Sequence, residues 1–223
     1  SHFDTVKTGG RYDGTAGVVA ALEVARTMHD EGFRPKRSIE FVALPEEEGG
    51  RFGSGLMASR AMCGKLYPDE LEHRDEDGVT LAEAMKEYGL DPNAIETAER
   101  KPEDIEAFLE LHIEQGPVLD AEKIELGLVD CIVGIQRYMV TVNGRADHAG
   151  TTPMDMRMDA VDAATKVISK IPDWAREKAD GTVATVGYIN TVPGGMNIVA
   201  EKVEFTVDIR SSNNDNINDI TRR

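Results

Sequence analysis

The stretch SIEFVALPEEEGG, residues 38–50, sets an apolar run (Phe41-Val42-Ala43-Leu44) almost directly against three adjacent carboxylates, Glu46, Glu47 and Glu48. Residues 38–44 are expected to form a compact strand with the acidic triplet at its C-terminal end. In open α/β sheets, ligands gather beyond such strand ends. Three like charges in a row cost energy unless a cation compensates them. A solvated loop is the bland alternative, but it does not explain why the carboxylates abut an apolar strand. The stretch therefore points to an α/β domain with a cation site at a strand-to-loop junction.

Two other segments repeat the arrangement. Residues 108–113, FLELHI, read as a strand with His112 near its end, and Asp4 has the same kind of position at the start of the chain. The turn Arg11-Tyr12-Asp13-Gly14 precedes a helix expected over 15–30, where Ala16, Val19, Ala20, Val24 and Met28 recur at helical spacing. Gly32 and Pro35 end it. Two histidines (His2, His112) and several carboxylates suit a borderline or hard divalent ion such as Zn, Mn, Co or Ni. A carboxylate can bridge two ions, and a spare one beside them can act as a general base. Together the segments read as a hydrolytic, two-metal site.

Each assignment competes with a plainer one. A turn Asp such as Asp13 is usually a turn former or helix cap; here a bridging role accounts better for two adjacent dications. One glutamate of the triplet should ligate and its neighbour should activate water. Asp4 is expected to hold the second ring nitrogen of His2. His112 alone would be a core histidine, and its strand-end position favours a ligand. His148, in ADHAGTTP, lies on a loop whose small residues leave room for substrate. His29 and His73 read as surface residues.

Beyond the first segments, residues 79–88 read as a short helix and 91–104 as a charged connection. Near Gly134 the texture changes. A strand over 138–142, a helix over 159–171 and strands over 183–189 and 203–209 follow. That order suggests a second, α+β domain. Residues 1–134 are thus expected to be a catalytic metal-binding domain and 135–223 a smaller one.

The 223 residues carry a net charge of −16, which argues against a nucleic-acid partner and reads as solubility. Cys63 and Cys131 lack CxxC spacing, so they suggest neither a disulfide framework nor a structural zinc site. They read as reduced residues of a cytoplasmic protein. No apolar run is long enough to span a bilayer, and no signal peptide is visible. The chain starts without Met and stops in what reads as a helix just beginning, so an excerpt of a longer protein is expected.

The stretches SHFDTVKTGGRYDG, PEEEGGRFGSG, ELHIEQGPVL, ADHAGTTPM and PGGMNIVAEKVEFTVDIR, taken in order, resemble the amidase/hydantoinase–carbamoylase branch of the M20 metallopeptidase clan. The resemblance implies a partial di-metal α/β catalytic domain and a partial α+β lid and dimerisation domain. It implies two divalent ions, one held by His2, Asp13 and His112 and the second shared by Asp13 and Glu48. Glu47 would be the general base that deprotonates the attacking, metal-bridging water. Gln115 would contact substrate. His148 would stabilise the oxyanion, and Asn197 and Arg210 would bind the substrate carboxylate. In the family these last three reach the partner subunit's site, which implies a homodimer. The implied reaction is cleavage of the ureido C–N bond of N-carbamoyl-L-amino acids to the amino acid, CO2 and ammonia. Allantoate amidohydrolase, β-ureidopropionase, an M20 peptidase or an inactive metal-binding or dimerisation fragment are the alternatives. The family's final histidine ligand lies in a C-terminal part this chain lacks, so the chain alone is expected to be a poor enzyme.

Overall fold

The computed structural model describes residues 1–223, which divide into two compact units, Ser1–Leu126 and Gly127–Arg223. Residues 127–133 carry no helix or strand. They belong to the second unit, which thus begins seven residues before Gly134, where the boundary was expected.

In the first unit, helix α1 (Thr15–Asp30) forms where the apolar spacing places it. Its stripe is not buried, however: Val19 and Val24 are exposed, and Gly17 is the buried residue of the helix. Residues 38–44 run beside residues 1–3. Leu44 N–H donates to the Ser1 carbonyl (2.9 Å) and Phe3 N–H to the Leu44 carbonyl (3.2 Å). The pairing is a single parallel bridge, His2 to Leu44, rather than the expected strand. A ladder needs a neighbour in register over several residues, and the chain turns away at Val6–Gly9 (3.0 Å). Residues 108–113 likewise run without strand pairing. Ile39, Phe41, Phe108 and Leu109 are accordingly exposed.

Behind the acidic triplet lies a small core. Helices α2 (Met57–Met62) and α3 (Leu81–Glu87) pack Met57 and Leu81 against Phe52, with Leu66, Leu71, Met85 and Ile95 around them. A capping box starts α3: the Thr80 hydroxyl accepts from Glu83 N–H (3.1 Å), and the Glu83 carboxylate accepts from Thr80 N–H (2.8 Å). The charged connection over 91–104 forms 3₁₀ turns at Pro92–Ala98 and Pro102–Asp104. A one-turn helix, α4 (Val118–Glu122), follows.

The second unit is an antiparallel sheet with helices on one face. Its strands are β1 (Gly134–Asn143), β3 (Val183–Thr185), β4 (Ile189–Val192) and β6 (Lys202–Ser211), where β6 is central and pairs with the other three. A separate two-stranded pair joins β2 (Asp147–His148) to β5 (Ile198–Val199). Strict alternation along β6 buries Val203, Phe205, Val207 and Ile209, as the period of two requires. Helices α5 (Ala160–Ile168), α6 (Ile171–Arg176) and α7 (Asn214–Arg222) cover that face with Ala160, Ala164, Ile171, Ile217 and Ile220. Burying a side chain such as Phe205 contributes about 1.5–3 kcal/mol. The helix expected over 159–171 ends at Ile168 as α5, and Pro172, in the first turn of α6, starts a separate helix. The strand expected over 183–189 is split between β3 and β4. No helix is long and apolar enough to cross a membrane.

Candidate metal centre

Three side chains from distant parts of the first unit converge. His2 Nε2 lies 3.3 Å from His112 Nε2, and Asp13 Oδ1 lies 3.6 Å from the first and 3.3 Å from the second. The other ring nitrogens fix the tautomers. His2 Nδ1 faces the Asp4 carbonyl at 2.9 Å and His112 Nδ1 faces the Ile113 carbonyl at 2.8 Å. A carbonyl only accepts, so each neutral ring carries its proton on Nδ1 and turns the Nε2 lone pair inward. Asp13 Oδ1 is buried and has no hydrogen-bond donor. Two lone pairs and a carboxylate oxygen therefore point at one another. The donor set fits a divalent ion, which such an orphaned buried acceptor calls for. Gly14 permits the approach: with φ +67°, it would place a Cβ 2.5 Å from Cε1 of the His2 ring.

The acidic loop supplies a second group. One donor atom each from His2, Glu47 and Glu48 lie within 4.8 Å of one another, as do those of His2, Asp13 and His112. Glu47 Oε2 is 4.0 Å from His2 Nε2. Burial, then the charges of Glu47 and Asp13, push the Glu48 carboxyl up. Burial likewise raises Glu46, whose backbone is left-handed at φ 52°. Gly49 closes the loop at φ +64°, where a Cβ would come within 2.5 Å of Gly55 N.

Asp4 differs from expectation. Its carbonyl, not its carboxylate, meets the His2 ring; the nearer carboxylate oxygen is 3.8 Å away. The carboxylate instead accepts the backbone N–H groups of Glu47 (3.1 Å) and Glu48 (3.0 Å). Two amides in a turn offer a carboxylate a stronger site than one neutral ring nitrogen that already has a carbonyl. Asp4 thus organises the acidic loop.

Gln115 donates its side-chain amide to Asp13 Oδ2 at 2.6 Å, a contact to the centre itself that sequence reading missed. The remaining candidates lie in the second unit. Ala149 N–H donates to the Asn197 carbonyl (3.0 Å) across the β2–β5 pair, which brings His148 and Asn197 together. Gly150 N–H donates to His148 Nδ1 at 3.0 Å, so the neutral ring carries its proton on Nε2, as a free donor. Arg210 does not join them. It lies eight residues beyond Lys202 on β6, about 26 Å along the strand. Its guanidinium is taken by Asp208 (2.8 and 3.2 Å), which also pairs with Arg137 at 2.8 Å. Bonds from Arg210, opposed by burial and joined by Arg137, hold the Asp208 carboxyl below its usual range. The period of two, which puts 208 and 210 on one face, was the available signal for this pair.

The chain resembles several known amidohydrolases. The chain is 48% identical over 218 residues to an N-carbamoyl-L-amino-acid amidohydrolase of Paenarthrobacter aurescens, covering 97% of this chain and 53% of that protein. It is 47% identical over 210 residues to the enzyme of that name from Geobacillus stearothermophilus, with 94% and 51% covered. It superposes on the crystal structure of an amidase of the hydantoinase/carbamoylase family from Burkholderia multivorans with a TM-score of 0.89 at 34% identity, covering 100% of this chain and 53% of that one. The chain spans about half the length of the relatives it matches. With residues 1–214 matching the profile of peptidase family M20/M25/M40, the chain belongs to that family.

Proposed function

We propose that the protein is a metal-dependent amidohydrolase that cleaves the ureido C–N bond of N-carbamoyl-L-amino acids, releasing the amino acid, CO2 and ammonia. One observation carries the reading: the buried Asp13 Oδ1, without a donor, faces two imidazole lone pairs. The substrate class comes from the names of the two relatives.

In this reading His2, Asp13 and His112 hold one ion, and Asp13 and Glu48 hold a second. Bound there, Zn, Mn, Co or Ni would supply Lewis acidity and make a water acidic near neutral pH. Glu47 takes the proton of the attacking water and passes it to the leaving nitrogen. Gln115 keeps Asp13 oriented through Oδ2. His148 donates its Nε2–H to the oxygen on which charge develops, a contribution of about 2.7–4 kcal/mol for one such donor. Asn197, beside His148, contacts the substrate, and Arg210, whose planar guanidinium suits a carboxylate, would bind the substrate carboxylate only on leaving Asp208. The second unit serves as lid and dimerisation domain. What supports dimerisation is β1, an edge strand whose free N–H and C=O groups can pair with another strand.

The test is a substrate panel on the full-length protein with Zn, Mn, Co or Ni: N-carbamoyl-L-amino acids, allantoate, N-carbamoyl-β-alanine and dipeptides. Fastest turnover is expected on N-carbamoyl-L-amino acids. Faster cleavage of a dipeptide would contradict the reading.

A further inference from the structure

We infer that Arg60 and Glu70 are positioning residues for the acidic loop, holding its returning end so that Glu47 and Glu48 point into the centre. The inference rests on the roles proposed above for those two glutamates.

Arg60, on α2, faces Glu70 through Nη2 (2.6 Å to Oε1) and Nε (3.2 Å to Oε2). Glu70 is 1% exposed, and a glutamate is almost never so buried unless paired. The guanidinium reaches further. Nη2 also donates to Ser54 Oγ at 2.6 Å, Nη1 donates to the Gly55 carbonyl, and the Tyr67 ring lies under the group at 4.4 Å. Glu70 takes a further donor, Tyr67 N–H, at 3.3 Å.

Ser54 and Gly55 are the return of the acidic loop. The next residues bond straight back to it: Leu56 N–H donates to the Glu47 carbonyl (2.7 Å) and Met57 N–H to the Glu46 carbonyl (3.1 Å). The loop is therefore held at two points, by Asp4 at the Glu47 and Glu48 amides and by Arg60 at residues 54–55. A buried ion pair is a poor device for stability alone, since desolvation offsets its attraction and apolar residues of similar volume do as well. Its distinctive property here is geometric. Only a rigid fork of donors reaches Glu70, Ser54 and Gly55 at once; a lysine is a point charge.

The test uses the metal-loaded full-length protein. The double variant Arg60→Met/Glu70→Leu removes both charges without leaving one buried and unpaired. Arg60→Lys keeps the charge opposite Glu70 but loses the fork. For both, kcat is expected to fall about 10- to 100-fold with KM little changed, and metal to pass to a chelator more readily by a similar factor. The Leu56 amide should exchange faster with solvent in both. Wild-type kcat per folded molecule with wild-type metal retention in either variant would overturn the inference. If the double variant does not fold, Arg60→Lys decides by the same readouts. Glu47→Gln is run alongside. Normal turnover in Glu47→Gln removes the underlying reading. An inactive Glu47→Gln beside a normal Arg60→Lys removes only the positioning role.

Discussion

Gln115 donates to Asp13 Oδ2 at 2.6 Å and leaves Oδ1 of the same carboxylate without a partner, facing His2 and His112. One oxygen is anchored and the other is free. Gln115 holds this pose from a left-handed backbone, φ 53°, a conformation that costs a non-glycine residue about 1–2 kcal/mol. The strained residue is adjacent to the centre, where such strain is usually kept.

Gln115→Ala should therefore weaken metal binding more than substrate binding. Loss of a partner that orients a ligating carboxylate costs about 10- to 100-fold in metal affinity. Competition with a fluorescent chelator measures it. A rise in KM with metal affinity intact would instead make Gln115 a substrate contact, as the family resemblance implies.

Glu47→Gln should abolish turnover and keep the metal. The amide has the same size but cannot take a proton, and a positioned base contributes about 10²- to 10⁴-fold. Steady-state rates with metal content by elemental analysis check this. Normal turnover at unchanged metal content refutes the assignment.

The Arg60–Glu70 pair gives an acid-stability signature. Burial alone would raise the Glu70 carboxyl, but bonds from Arg60, Ser54 and Tyr67 N–H outweigh it and hold the group below its usual range. A lowered carboxyl adds stability above the ordinary glutamate value and loses it as pH falls through the lowered one. Urea unfolding of the metal-free protein, repeated from neutral into acid pH, should show a shallower loss of stability for Glu70→Gln. An unchanged slope would count against the ionised pair.

His148 gives a test of assembly. Glu47→Gln and His148→Ala homodimers should each be nearly inactive. If His148 acts across a subunit boundary, the mixed dimer keeps one intact site and recovers up to about half of wild-type activity. If it acts within its own chain, both sites are damaged and nothing is recovered.

The residue patterns that were legible are those whose signal is local. Apolar spacing with Gly32 behind it gave α1 at Thr15–Asp30, and alternation gave the core of β6, because a central strand with one buried face imposes a period of two. The apolar runs 38–44 and 108–113 misled, since an apolar run shows what could be buried while a ladder depends on its neighbours. The grouping of His2, Asp13 and His112 was implied by the family resemblance of their segments, and the structure brings the three together. Their supports were not legible. Asp4 binds backbone amides 43 and 44 residues away, and Gln115 reaches Asp13 across 102 residues. A bond to a backbone N–H leaves no mark on the residue that donates it.

The most direct measurement is anomalous diffraction at the metal edge from crystals of the full-length protein grown with Zn or Mn. A peak is expected among His2 Nε2, His112 Nε2 and Asp13 Oδ1, about 2.0–2.2 Å from each, since ligand atoms of one tetrahedral ion lie about as far apart as these three do (3.3, 3.6 and 3.3 Å). A saturated crystal with no peak there, or with the ion held by other residues, would contradict the metal centre.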